Sequence, residues 1–262
     1  MNRIEKKFRE LKRQNKKAFI AFITSGYPNL KITEKLIREF DASGVDVVEL
    51  GVPFTDPMAD GPVIQEASQA ALKNKTRLVD ILNMVQHVRR DVNLPICLMT
   101  YYNPIFCFGE EKFIAKAKVC GVDGVIIPDL PPEEGVDFIK HARKAGIDTI
   151  SFLSPTSSPE RIKHISRRAR GFIYYVSLTG VTGARKNLPQ DIKRNIKTIK
   201  RYAKAPVCVG FGVSNPAQVK QIQSFADGVI VGSAIVRKIK ENAGKPDLVK
   251  RVGRFTSSLK HV

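Results

Sequence analysis

Residues 121–153 read GVDGVIIPDLPPEEGVDFIKHARKAGIDTISFL. A short apolar, β-branched run, VDGVIIP (122–128), gives way to a segment of helical character, PEEGVDFIKHARKA (132–145). Gly146 follows, where a helix end favours left-handed backbone, and a second apolar run, IDTISFL (147–153), starts at once. A strand, a helix and a strand within about thirty residues make a βα unit feeding a parallel sheet.

The same rhythm runs outward in both directions. Apolar runs recur at 18–24, 45–50, 95–100, 171–176, 206–212 and 226–232, which brings the total to eight. Gly44 and Gly121 mark helix ends as Gly146 does. Eight βα units in about 250 residues is the arithmetic of a (β/α)8 TIM barrel. A doubly wound sheet would carry GxGxxG after its first strand, and TSGYPN (24–29) does not fit it. A charged amphipathic helix over about 2–13 precedes the first strand and would cap the barrel bottom. Two helical segments, 62–74 and 77–90, lie between the second and third strands, so one is an insertion. The expected architecture is one TIM-barrel domain over 1–262, with an extra N-terminal helix and an inserted helix after strand 2.

Composition agrees. The chain has 262 residues, 43% hydrophobic and 26% charged, which excludes a disordered chain and a disulfide scaffold. The four cysteines (97, 107, 120, 208) form no CxxC pair, and a reducing, cytoplasmic setting is expected. No secretory h-region and no run long enough to span a membrane are present. Net charge is +19, concentrated in 1–17, 160–204 and 237–262. Basic patches raise a nucleic-acid partner; these segments carry no RRM, KH or zinc-finger signature, and solvated Lys-rich helix faces are the expected reading.

TIM-barrel chemistry sits at the C-terminal ends of the strands. Those ends here offer no Lys and no His, so neither a Schiff base nor a His-ligated metal is expected, and no cofactor is called for. What remains is carboxylates, hydroxyls and backbone amides. Glu49 ends the apolar strand VDVVEL, where a charge is costly; it either pairs with a neighbouring cation or faces the barrel mouth as a proton shuttle with a raised pKa. In the next loop, GVPFTDPMADGP, Asp56 and Asp60 both fit turn formers. Glycines gather in GVTGA (180–184), GFGVSNP (210–216) and VGSAIV (231–236), the last two after strands 7 and 8, where barrels hold a phosphate on backbone N–H groups. Phe22, Tyr101, Tyr102, Tyr174 and Phe211 stand near the same rim and would suit a flat apolar ring.

VELGVPFTDPMADGP (48–62) resembles the signature of the tryptophan synthase α subunit family. AFITSGYP (21–28), YYNPIF (101–106), PDLPPEE (128–134), GVTGAR (180–185), GFGVSNP and GSAIV (232–236) resemble that family's segments in the same order, so the resemblance spans essentially the whole chain. It implies cleavage of indole-3-glycerol phosphate to indole and glyceraldehyde 3-phosphate. It implies Glu49, Asp60 and Tyr174 as catalytic residues. It implies Phe22, Tyr101, Phe211 and Ile230 at the indole, Gly183, Gly212, Gly232 and Ser233 at the phosphate, and Thr182 as a further substrate-binding residue. It also implies a pyridoxal-phosphate-dependent β subunit as partner in an α2β2 heterotetramer. A stand-alone indole-releasing lyase is the alternative. YYNPIFCF (101–108), read as an apolar connection beside the stiff PDLPPEE loop, is the expected contact surface. Leu178 departs from the Arg that relatives often carry there.

Overall fold

Residues 2–176, 190–210 and 212–260 are described by the computed structural model. Helix α1 (Arg3–Arg13) leads into β1 (Ala18–Thr24), α2 (Leu30–Ala42) and β2 (Val47–Gly51). Two helices follow β2, α3 (Pro62–Lys73) and α4 (Leu78–Val88), before β3 (Ile96–Met99). Next come α5 (Tyr102–Phe108), α6 (Glu110–Cys120), β4 (Gly124–Ile126), α7 (Val136–Ala145), β5 (Asp148–Leu153), α8 (Pro159–Arg168) and β6 (Ile173–Val176). The chain continues with α9 (Gln190–Tyr202), β7 (Val207–Gly210), α10 (Pro216–Gln223), β8 (Gly228–Val231), α11 (Ser233–Glu241) and α12 (Leu248–Lys260). The eight strands pair in sequence order, all parallel, and β8 closes onto β1. The barrel, its N-terminal helix and the inserted helix after β2 are as the sequence predicts.

Alternation sorts each strand into two faces. Ile20, Val47, Cys97, Ile126, Ile150, Phe172, Cys208 and Ile230 fill the barrel interior. The opposite faces pack under the surrounding helices, with Phe19, Val48, Leu98, Val125, Tyr175 and Val209 in one continuous core. Helix α1 plugs the lower end: Ile4, Phe8 and Leu11, spaced i, i+4 and i+7, are buried against the interior, and the Phe8 ring lies 5.9 Å from that of Phe172.

Below the strands a repeated Asp fixes the register. Asp46, Asp123 and Asp227 each accept a backbone N–H from the start of the preceding strand, from Phe19 (2.9 Å), Ile96 (2.9 Å) and Val207 (3.0 Å). Each also meets a cation: Lys260, Arg89 and Lys200 respectively. Arg89 is buried and spends its remaining donors on the carbonyls of Gly121, Val92 and Leu94. Burial pulls its pKa down to about 10.

One segment differs from expectation. YYNPIFCF is not a loop: Tyr102–Phe108 forms α5. Pro104 sits in the first turn, where a missing N–H is harmless, and the Asp129 carboxylate accepts the Tyr102 N–H at 2.9 Å. That partner lies on the loop after β4, so no local cap announces the helix. Ile105 is fully buried beneath it and Phe106 is 65% exposed.

Candidate active site

Glu49 lies on the inward face of β2, in register with Phe22 of β1 and Cys97 of β3. Its side chain is fully buried, and neither carboxylate oxygen has a hydrogen-bond partner among the described residues. No cation pairs with it among the described residues, so the paired reading finds no support there. Burial alone raises its pKa to about 8. That shift favours the protonated acid at neutral pH, on a strand face between Phe22 and Cys97.

Asp60 comes from the loop after β2. Its backbone N–H closes a turn onto the Pro57 carbonyl (3.0 Å), so the turn reading holds for the backbone. The side chain does more. The Tyr101 hydroxyl donates to Asp60 Oδ2 at 3.1 Å and accepts the Ala59 N–H at 2.9 Å. Burial lifts the Asp60 pKa to about 6 against the lowering effect of that tyrosine hydrogen bond. At neutral pH it is largely a carboxylate. Helix α3 holds the loop from behind: the Ser68 hydroxyl accepts the Phe54 N–H and donates to the Phe54 carbonyl, and Gln65 Nε2 donates to the Asp60 carbonyl at 2.9 Å. Asp56, by contrast, is exposed and meets only the Thr55 hydroxyl.

Phe22, Thr24, Gly51, Asp60, Thr100 and Tyr101 line one cavity at the mouth. Tyr174 projects inward from β6, its ring 5.0 Å from Phe152. Burial, and then the nearby charges of Glu49 and Asp60, push its pKa well up, so its hydroxyl stays neutral. Ile230 completes the wall from β8. Two glycines make this packing fit. A Cβ on Gly51 would stand 2.6 Å from the Phe22 ring, and one on Gly210 would stand 2.6 Å from the Tyr174 ring. Neither role shows in the sequence, because each glycine seats a ring from a neighbouring strand. Thr24, Ser68 and Gln65 were also missed as site residues; only Thr24, at a strand end, carried any signal.

The glycine loops expected to hold a phosphate divide unequally. Helix α11 opens at Gly232 with no side-chain cap, so the first N–H groups, from Ser233 on, lack a cap acceptor and face the barrel rim. Helix α10 is already capped, because Asn215 accepts the Gln218 N–H at 3.0 Å. After β7 the free element is therefore Gly212 and not the helix end. Gly212 is exposed, with φ +38° and open space where a side chain would stand. Thr182, Gly183, Leu178 and Phe211 lie outside the described residues.

At the rim, Met58 is 85% and Phe106 65% exposed, one from the loop after β2 and the other from α5 after β3. No group of three His, Cys, Asp or Glu side chains suited to a metal occurs among the described residues. No helix among them is long and apolar enough to cross a membrane.

The family model for the tryptophan synthase alpha chain matches residues 8–261. A tryptophan synthase alpha chain of Geobacter sulfurreducens is 50% identical over 260 residues, covering 99% of this chain and 98% of its own. One from Thermoanaerobacter sp. is 45% identical over 262 residues, covering all of both chains. Among solved structures, tryptophan synthase subunit alpha from Legionella pneumophila superposes with a TM-score of 0.92 at 40% identity, covering 99% of this chain and 97% of that one.

Proposed function

The chain belongs to the tryptophan synthase alpha chain family, and from that premise we propose how its own residues carry out the lyase reaction of this family, the cleavage of indole-3-glycerol phosphate. The observation that carries the reading is Glu49: a fully buried carboxyl on the inward face of β2, without a hydrogen-bond partner among the described residues and with its pKa raised by burial to about 8.

A retro-aldol cleavage needs an electron sink. With no Lys at the strand ends, the substrate's own ring supplies it. Glu49 gives its proton to indole C3, which turns the ring into an indoleninium cation. The Glu49 carboxylate then takes the proton of the hydroxyl on the carbon bonded to C3. The O–H electron pair becomes the new C=O bond, the C3–carbon bond breaks, and its electrons neutralise the C=N⁺ of the ring. Indole and glyceraldehyde 3-phosphate leave, and Glu49 is protonated again. Asp60, ionised and half-buried, accepts the indole N–H and offsets the positive charge as it develops, an electrostatic effect of a few kcal/mol in a dry site. Phe22, Tyr101, Tyr174 and Ile230 hold the flat ring, with Tyr174 acting as a neutral wall that also fixes the Glu49 side of the pocket. Phe211, Thr182 and Gly183 are assigned to the substrate by resemblance alone. The phosphate rests on the amides of Gly212, Gly232 and Ser233.

The partner is a β subunit, and the rim bearing Met58 and Phe106 is its docking face in an α2β2 heterotetramer. Clustered exposed apolar side chains around an active-site mouth support this: indole is apolar, and a contact there lets it pass on without entering water. The chain acts as one domain over 1–262, in the cytoplasm, where its unbridged cysteines are stable.

The test is indole release from indole-3-glycerol phosphate, measured with and without a cognate β subunit. The reading predicts slow release alone and stimulation on titration with the partner. Full activity alone with no binding would make the chain a stand-alone lyase, and no release in either arm would refute the reading.

A further inference from the structure

Two neighbouring helices carry nine Lys or Arg against two Asp or Glu, a net +7 of the chain's +19. Helices α8 and α9 pack against each other on the outer wall of the barrel, away from the strand ends that carry the site. Lys163 and Arg167 are exposed one turn apart on α8, and Lys197 and Arg201 one turn apart on α9. None of these four has a carboxylate within 4 Å among the described residues, whereas Arg161, Arg194 and Lys200 on the same helices are paired with Glu133, Asp191 and Asp227. Between the two rows stands Tyr202. It is 39% exposed, and Lys163 Nζ lies 5.6 Å from its ring centroid. Arg170, just past the end of α8, is exposed as well and within electrostatic reach of Asp148.

Four unpaired cations would repel one another less if they faced an anion. Side chains one helical turn apart stand about 5–6 Å apart, close to the spacing of successive phosphates on an extended strand. A lone acidic peptide would use the cations and leave Tyr202 idle. An anionic bilayer would call for several exposed apolar side chains, and Tyr202 is the one large apolar residue exposed on these helices. An aromatic ring between basic rows is what an unpaired base stacks on, and a duplex hides its base faces. The sequence lacks a known nucleic-acid motif, but this pairing of unbalanced cations with an exposed ring appears only once the helices are packed.

We propose that the α8–α9 face, with Lys163, Arg167, Lys197 and Arg201 around Tyr202, binds single-stranded RNA by its phosphates and one stacked base, independently of the lyase site.

The experiment is fluorescence anisotropy of a labelled 20-nucleotide oligouridylate at about 150 mM salt, using the full chain. Four phosphate contacts predict a slope of log K against log [salt] of about −3. Arg167→Glu with Arg201→Glu should weaken binding at least about tenfold and halve the slope, while indole release stays within twofold of wild type. Tyr202→Leu, which leaves the charge intact and guards against a misfolded charge-reversal variant, should weaken binding about fivefold at an unchanged slope. Lys6→Glu with Arg9→Glu on α1, another basic helix, should change it less than twofold. No saturable binding at that salt would overturn the proposal. So would an equal loss from the α1 variant. Equal affinity for polyglutamate or duplex RNA, with Tyr202→Leu silent, would overturn it in favour of a general polyanion surface.

Discussion

The Tyr101 hydroxyl donates a 3.1 Å hydrogen bond to Asp60 Oδ2 across the gap between two strand-end segments. The Tyr101 hydroxyl oxygen also accepts the N–H of Ala59, so one phenol both anchors the loop and favours the charged form of its carboxylate. Burial pushes Asp60 towards its neutral form, and this bond pulls it back.

That relationship makes the acid limb of the pH profile adjustable. Asp60 must be ionised to stabilise the indoleninium, so kcat/KM should fall below about pH 6. Glu49 must be protonated to start the reaction, so kcat/KM should fall again above about pH 8. Tyr101→Phe removes a bond to the charged form of Asp60. The acid limb should move upward by about 0.5–1 in pH, the worth of one hydrogen bond of ~1 kcal/mol. The substrate phosphate titrates near the same pH but is identical in both proteins, so the difference between the two profiles isolates Asp60. An unmoved acid limb would count against its role.

Gly212→Val should act on binding. The residue has positive φ and open space beside it, and a branched side chain there both strains the backbone and stands over the phosphate's approach. KM for indole-3-glycerol phosphate should rise at least about tenfold, since ~1.4 kcal/mol per decade is less than one lost charge-assisted hydrogen bond. The readout is the ratio of KM to kcat effects; a kcat loss at constant KM would place the phosphate elsewhere.

The buried acid costs stability. Folded, Glu49 keeps its proton up to about 8, against an ordinary value of 4.5. Folding therefore binds a proton between those two values: the contribution is whole below the lower one and is lost as pH rises through the upper one. Gln carries no such penalty. Glu49→Gln should gain stability relative to wild type from pH 5 to pH 8, by up to ~4 kcal/mol at 1.36 kcal/mol per pH unit. Urea unfolding at the two pH values checks this, and parallel changes in both proteins would contradict it.

At the opposite end of the barrel, Arg89→Met would leave the buried Asp123 with only the half-exposed Arg3 as cation. Loss of one partner from a buried pair costs about 3–5 kcal/mol, and the remaining arginine should hold the loss near the lower figure. Denaturant titration reads it directly. Indole release at moderate temperature should be unchanged, because the strand bottoms are remote from the mouth.

Legibility differed by scale. The barrel could be read because most inward and outward strand residues are apolar, so the strands stand out as runs. Glu49 could be read because it breaks one of those runs. Asp60 was ambiguous: its D-G step forms a turn whether or not its carboxylate works, and the deciding partner, Tyr101, lies 41 residues away. Helix α5 looked like a loop because its cap comes from Asp129 on another connection. Gly51 and Gly210 gave no sign of seating Phe22 and Tyr174, since those contacts exist only between strands. The Asn215 cap on α10 was present in the sequence as an N-x-x-Q step and, once read, removes that helix end from the phosphate site.

The central claim is that Glu49 moves the proton. Single-turnover cleavage of indole-3-glycerol phosphate by Glu49→Gln, with substrate binding measured separately, tests it most directly. Gln keeps the shape and the burial but can neither give up nor recover a proton. The account predicts near-normal binding and a cleavage rate reduced by about 10²–10⁴-fold, the usual worth of a general acid–base. A variant that binds substrate and retains more than a tenth of the wild-type rate would show that the proton comes from elsewhere.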